Sequence, residues 1–307
     1  MAGFKPAYLD LFKTGELRER VIKAYQLLSA CELCGWKCGK DRLSGHLGVC
    51  RTGALARVSS SGPHHGEEDP LRGWRGSGTI FFTRCNLRCQ FCQNHDISQT
   101  DNGDLVASED LARLMLELQR LGCHNINLVS PTHVVPQILA AVFIAAQAGL
   151  YLPLVYNTGG YDSLEALRLL DGVVDIYMPD MKYANAQVGL HYSKIHNYPE
   201  INQAAVREMY RQVGNLQIDE HGLAQRGLLV RHLILPNGLA GTEETLHFLA
   251  EQISTNTYIN LMDQYRPAYQ AHFYSRIDRP IKREEYDSAM NIALNLGLHR
   301  LDKSYLK

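Results

Sequence analysis

From Gly78 onward the chain alternates between two hydrophobic periods. Short, nearly unbroken apolar runs near 79–83, 125–130, 152–157, 173–179, 228–235 and 257–262 read as strands. Val173-Val174-Asp175-Ile176-Tyr177-Met178 shows the type, apolar on both faces as a parallel strand covered by helices must be. Between and after these runs, apolar residues recur at helical spacing near 108–121, 134–148, 163–171, 199–213, 242–254 and 282–296. Leu111, Leu114, Met115, Leu118 and Leu121 form one stripe on the first of these helices. Ser108, Ser163 and Thr242 stand where N-caps are expected and Pro199 in a first turn; Gly122, Gly149, Gly172, Gly214 and Gly297 stand at the far ends. Six βα units in succession predict either an open doubly wound sheet or a partial barrel.

Ahead of this repeat the pattern changes. Residues 6–29 predict one amphipathic helix, with Thr14 as its N-cap and Leu17, Val21, Ala24, Tyr25 and Leu28 on the apolar face. Residues 59–78 carry the polar run Ser59-Ser60-Ser61-Gly62-Pro63-His64-His65-Gly66-Glu67-Glu68 and read as an ordered loop into the first strand. In that loop His64 and His65 are expected to be hydrogen-bonded, and Glu67 and Glu68 to be solvated.

The chain has 307 residues, 45% hydrophobic and 21% charged, enough for one large α/β unit with a small appended one. Boundaries fall at 1–58, a helix with a cysteine-rich segment, and 59–307, the repeating core with its C-terminal helix. A net charge of −1 gives no electrostatic case for nucleic acid or a membrane surface. No apolar run approaches the roughly 20 residues of a membrane span. Met1-Ala2-Gly3-Phe4-Lys5-Pro6 lacks an apolar signal core, so a cytoplasmic location is expected. Eight cysteines in a reducing compartment point to metal or redox chemistry rather than disulfides.

Seven of those cysteines fall into two groups. Cys85, Cys89 and Cys92, at C-x3-C-x2-C spacing, follow the apolar run Thr79-Ile80-Phe81-Phe82. Such a triplet can turn three thiolates to one point, holding three irons of a cubic 4Fe–4S cluster and leaving the fourth open. A zinc site, a redox disulfide or separate buried thiols are the alternatives. Cys31, Cys34 and Cys38, with Cys50 after an eleven-residue gap, lie in a glycine-punctuated stretch and suffice for a closed site, an auxiliary 4Fe–4S cluster or structural zinc. Cys123, after Gly122 at a helix end, reads as a buried thiol.

The triplet with Phe91 before its third cysteine resembles the radical S-adenosylmethionine (SAM) superfamily, whose signature is C-x3-C-x-aromatic-C. The resemblance decides between the two architectures: it implies a partial (β/α)6 barrel. It also implies that SAM binds the open iron and that one electron cleaves it to methionine and a 5′-deoxyadenosyl radical. A closer resemblance is to the branch related to pyruvate formate-lyase activating enzymes. It rests on Gly66-Glu67-Glu68, Gly76 to Phe82, the cluster motif with Gln93-Asn94, Ser130-Pro131-Thr132, Tyr156-Asn157-Thr158-Gly159 and Tyr177-Met178-Pro179-Asp180-Met181-Lys182. The Cys31–Cys50 group also looks like that branch's auxiliary cysteine segment.

By that resemblance Phe91, Ser130 and Thr132 are SAM contacts; Ser130-Pro131-Thr132 replaces the activating enzymes' Gly-Gly-Glu, so the glutamate is absent. Asn157, Thr158, Met178 and Asp180 match a monovalent-cation site, with asparagine where those enzymes carry aspartate, and Lys182 falls beside it. The expected function is hydrogen-atom abstraction from a substrate at the barrel mouth, a glycyl-radical enzyme or another protein or peptide. Flavodoxin or ferredoxin is the expected reductant. Modification of a nucleic acid or a small molecule is the alternative, and a two-cluster electron carrier is a reading of a different class.

Overall fold

The computed structural model describes residues 4–302; the first three residues of the opening segment and the last five of the chain lie outside it. The opening helix is two helices, α1 (Tyr8–Thr14) and α2 (Glu16–Gln26). Gly15 separates them at φ +82°, in the left-handed region a side chain resists. Thr14 is therefore the last residue of α1 rather than an N-cap, and its hydroxyl donates back to the Leu11 carbonyl. Tyr8, Leu17, Ala24 and Leu28 are buried in the main core, as the apolar spacing required.

No helix or strand forms between Gln26 and Ala56, where the first four cysteines lie. Then comes β1 (Ala56–His64), a strand where a loop was predicted, followed by the single turn α3 (Asp69–Arg72). The serine and glycine run hid β1 because its residues have low strand preference. What makes it a strand is pairing: it lies antiparallel on its neighbour, Ser61 opposite Ile80 and Gly62 opposite Thr79.

The repeat follows the predicted order. It runs through β2 (Ser77–Phe82), the short α4 (His95–Ser98) and β3 (Asp104–Val106), α5 (Ser108–Arg120), β4 (Ile126–Val129), α6 (Val135–Gln147) and β5 (Leu154–Thr158). It continues with α7 (Leu164–Leu170), β6 (Ile176–Pro179), α8 (Ala186–Ser193), α9 (Tyr198–Val213), β7 (Gln217–Ile218) and β8 (Ala224–Leu233). The last elements are α10 (Thr242–Phe248), β9 (Tyr258–Met262) and α11 (Arg283–Asn295). The parallel strands are β2-β4-β5-β6-β8-β9, a six-stranded partial barrel. The antiparallel strands β1, β3 and β7 extend it.

Only one of the three predicted serine and threonine caps forms as such: Ser163 Oγ accepts from Ala166 N at 3.1 Å. Ser108 and Thr242 are instead the first helical residues, and their hydroxyls bond sideways, to Tyr25 and to His232 Nε2.

The strands sort their side chains by alternation. Ile80, Phe82, Leu128, Leu154, Tyr156 and Val230 face outward into the main core with the helices. Leu71, Val155, Ile176, Met178, Leu216, Ala224 and Leu229 form a separate apolar cluster that fills the barrel toward the strands' starts. Each such side chain contributes about 1.5–3 kcal/mol by leaving water. The far end, where the strands finish, stays open. Among the described residues no helix is long and apolar enough to cross a membrane.

Candidate functional site

At the open end lies a cavity of about 340 Å³. Its floor and one wall are the loop that leaves β2. Arg84 holds that loop at φ +71°, tied by its guanidinium to Asp101 and to the Gln99 carbonyl. The Asn86 amide donates to Tyr161 O at 3.0 Å, and Arg88 N and Gln90 N donate to the carbonyls of Ser193 and Tyr192. The loop is thus pinned from three places by the chain's own hydrogen bonds.

Cys85, Cys89 and Cys92 all face the cavity. Leu87 N donates to Cys85 Sγ at 3.4 Å, Ser193 Oγ to Cys89 Sγ at 2.9 Å, and Ser98 Oγ lies 3.2 Å from Cys92 Sγ. Tyr183 OH stands 2.7 Å from Ser193 Oγ, which orients that donor. Burial pushes the Cys85 thiol up to about 11 and the Cys89 thiol up to about 12. Thiols so desolvated become thiolates when a metal supplies the opposing charge.

The donor set fits a cubic cluster with one open iron: three thiols facing one space, a hydrogen-bond donor or hydroxyl beside each, and no fourth cysteine at the cavity. Cys123, as expected, is buried in the core beside Gly78, at the opposite end of β2. Among the described residues no three His, Cys, Asp or Glu side chains converge on a single ion's position. A cubic cluster asks for wider spacing, since each thiolate holds its own iron.

Of the remaining sequence-predicted residues, Phe91, Ser130, Asn157, Thr158 and Asp180 line the cavity. The Phe91 ring meets Tyr265 edge-on at 5.8 Å and fixes the loop between the second and third cysteines. Thr132 lies behind the wall, its hydroxyl 2.9 Å from Thr158 Oγ1, so it supports Thr158 from outside the cavity lining. The Met178 side chain joins the apolar fill of the barrel and is not brought to the cavity.

Lys182, which the resemblance sets beside the Asp180 site, lines the cavity, its Nζ 2.6 Å from Asp180 Oδ2. Burial disfavours its ammonium, but Asp180 and the nearby cysteines outweigh that and hold its pKa above the ordinary value. Glu67 and Glu68 are not solvated: they are 6% and 2% exposed. Arg231 on β8 reaches both, with Nε 3.3 Å from Glu68 Oε1 and Nη1 3.9 Å from Glu67 Oε2, and lies 3.9 Å from Asp180 Oδ1. Asn260 Nδ2 donates to Glu68 Oε1 at 2.8 Å, and His64 Nδ1 stands 3.1 Å from Glu67 Oε1. Burial raises the Glu68 pKa, opposed by Arg231. The available signal was alternation: Arg231 falls on the inward face of β8, between Val230 and a buried His232.

Comparison with known proteins places this geometry. The family model described as the radical SAM superfamily matches residues 79–249, more than half of the chain. An uncharacterized protein of Methanocaldococcus jannaschii is 30% identical over 303 residues, covering 96% of this chain and 80% of that protein. A radical SAM methyltransferase of Sphaerobacter thermophilus superposes with a TM-score of 0.51 at 15% identity, covering 75% of this chain and 67% of that one. SuiB of Streptococcus suis, solved with S-adenosylmethionine, gives a TM-score of 0.49 at 10% identity and covers 72% of this chain. The chain spans about half, 48%, of that protein's length.

Proposed function

The chain belongs to the radical SAM superfamily, and on that premise we propose that it is a SAM-cleaving enzyme whose reaction begins at the Cys85–Cys92 loop. Membership implies a 4Fe–4S cluster and SAM. Bound there, they would supply one electron that breaks a C–S bond of SAM, giving methionine and a 5′-deoxyadenosyl radical able to take a hydrogen atom from substrate. The observation that carries the reading is the cavity itself: three cysteines on one side, and Asn157, Asp180, Lys182 and Arg231 on the other.

The chain's own residues do the rest. Cys85, Cys89 and Cys92 hold the cluster, with Leu87 N and Ser193 Oγ donating to its sulfur ligands. Lys182 and Arg231 are cations suited to a bound carboxylate, and Asp180 and Glu67 to an ammonium or sulfonium. The Lys182 ammonium already sits on Asp180, so we assign it, rather than an alkali ion, as that carboxylate's partner. Phe91, Leu87, Leu233 and Met262 supply apolar wall, which limits water near a reactive radical.

As substrate we propose a peptide or protein segment, in the manner of an activating enzyme acting on a glycyl-radical protein. Supporting this, the loop after β9 reaches the mouth through Gln264, which lines the cavity, and carries Tyr269 and the 81%-exposed Phe273. We place the enzyme in the cytosol with a flavodoxin or ferredoxin as reductant.

The test is anaerobic: protein reconstituted with iron and sulfide, reduced with dithionite, should convert SAM to 5′-deoxyadenosine. Absence of that product with a fully loaded cluster would overturn the reading.

A further inference from the structure

The loop between α2 and β1 holds a feature that four neutral thiols do not explain. Arg42 is 1% exposed, the bulkiest of the fully buried side chains. Its guanidinium donates to Gly53 O at 3.2 and 2.8 Å and to His133 O at 2.9 Å, and its Nη1 lies 3.7 Å from Cys31 Sγ. Among the described residues it forms no ion pair with a carboxylate. A buried cation with only carbonyl partners is costly unless an anion stands nearby. A group able to carry that charge, the Cys31 thiol, lies 3.7 Å from it.

The cysteines are gathered for it. Cys31, Cys34 and Cys50 are buried and Cys38 half-buried. Cys31 and Cys50 lie close enough to Cys34 to interact with it electrostatically. Cys38 Sγ rests on the bare backbone of Gly48, where an added Cβ would come within 2.6 Å of the sulfur. The backbone turns tightly around them, with Cys31 N donating to Lys40 O, Gly39 N to Cys31 O and Lys37 N to Cys34 O. We infer that Cys31, Cys34, Cys38 and Cys50 hold a second, thiolate-bound metal centre whose negative charge Arg42 balances. No three of these side chains converge on one ion's position, so their spacing suits a four-thiolate iron–sulfur cluster, which is anionic, rather than one Zn²⁺.

The segment also touches the other cysteine loop. Trp36 Nε1 donates to Asn86 O at 2.7 Å, Gly35 N to Tyr161 O, and Cys34 bridges to Asp162. A metal at Cys34 therefore firms the backbone beside Cys85.

The inference stands apart from the proposed reaction, and metal analysis separates the two. Anaerobically purified wild type should carry metal beyond the about four irons of one cluster. The excess should be about four more irons with sulfide. A variant with Cys85, Cys89 and Cys92 replaced by alanine should keep that second metal and lose SAM cleavage. Adding Cys34→Ser and Cys50→Ser should remove the remaining metal. Iron with sulfide retained in the triple variant supports the inference and tells the two centres apart. Wild type with the iron of one cluster alone overturns it, as does iron content unchanged by the serine substitutions. Retained metal in a wild type that cannot cleave SAM counts against the proposed reaction alone.

Discussion

The two cysteine loops are built from the same residue type to opposite ends. The Cys85–Cys92 loop leaves a parallel strand and opens on a cavity of about 340 Å³, with hydroxyl and amide groups placed beside its three sulfurs. The Cys31–Cys50 loop belongs to no strand and lines no part of that cavity; its buried Arg42 reaches only carbonyls and Cys31, whereas the first loop's buried Arg84 is paired with Asp101. An open face with three ligands suits a centre that reacts; a closed one with four ligands suits a centre that holds structure. The contrast teaches that ligand count and the space in front of the sulfurs, more than cysteine number, separate the two roles.

The largest effect should come from breaking the open loop. Cys92→Ala should lower SAM cleavage by at least about a thousandfold, because the group removed acts as a unit with its partners. 5′-Deoxyadenosine assays read this directly, and residual activity near wild type would erase the contrast. Breaking the closed loop should act on stability first. Cys34→Ser with Cys50→Ser should lower Tm by on the order of 5 °C in calorimetry, a loss of a few kcal/mol for a chain of this size, while cleavage falls less than about tenfold.

Smaller effects sharpen the reading of the cavity wall. Asp180→Asn should weaken SAM binding about tenfold, or about 1.4 kcal/mol, by removing the negative charge assigned to SAM's ammonium or sulfonium and the carboxylate that positions Lys182. Titrations with and without K⁺ should agree if Lys182 is the partner, and diverge if an alkali ion is. The smallest change should follow Ser193→Ala, which removes the hydroxyl that donates to Cys89 Sγ. Fewer hydrogen bonds to a cluster's sulfur lower its potential, here by on the order of tens of millivolts in a redox titration.

How much of this was legible follows from where the information sits. The six βα units show in the sequence because each strand is apolar on both faces and each helix carries its own stripe, all local patterns. The Cys85–Cys92 motif is equally local. What was hidden depends on distant partners. β1 has no apolar signature, and only its pairing with β2 makes it a strand. Glu68 reads as a surface charge until Asn260, 192 positions away, and Arg231 close over it. Met178 fits the motif by position and shares Asp180's face of β6, yet it lies one step deeper and its side chain joins the apolar fill. Arg42 gives no sign of burial in a stretch rich in glycine and charge.

The most direct test of the contrast is the electron paramagnetic resonance spectrum of the reduced Cys34→Ser, Cys50→Ser variant, recorded before and after SAM is added. The account predicts one cluster signal, from the Cys85–Cys92 loop, whose g-values shift when SAM binds its open iron. A signal that SAM leaves unchanged, in protein whose cluster is fully loaded, would contradict it.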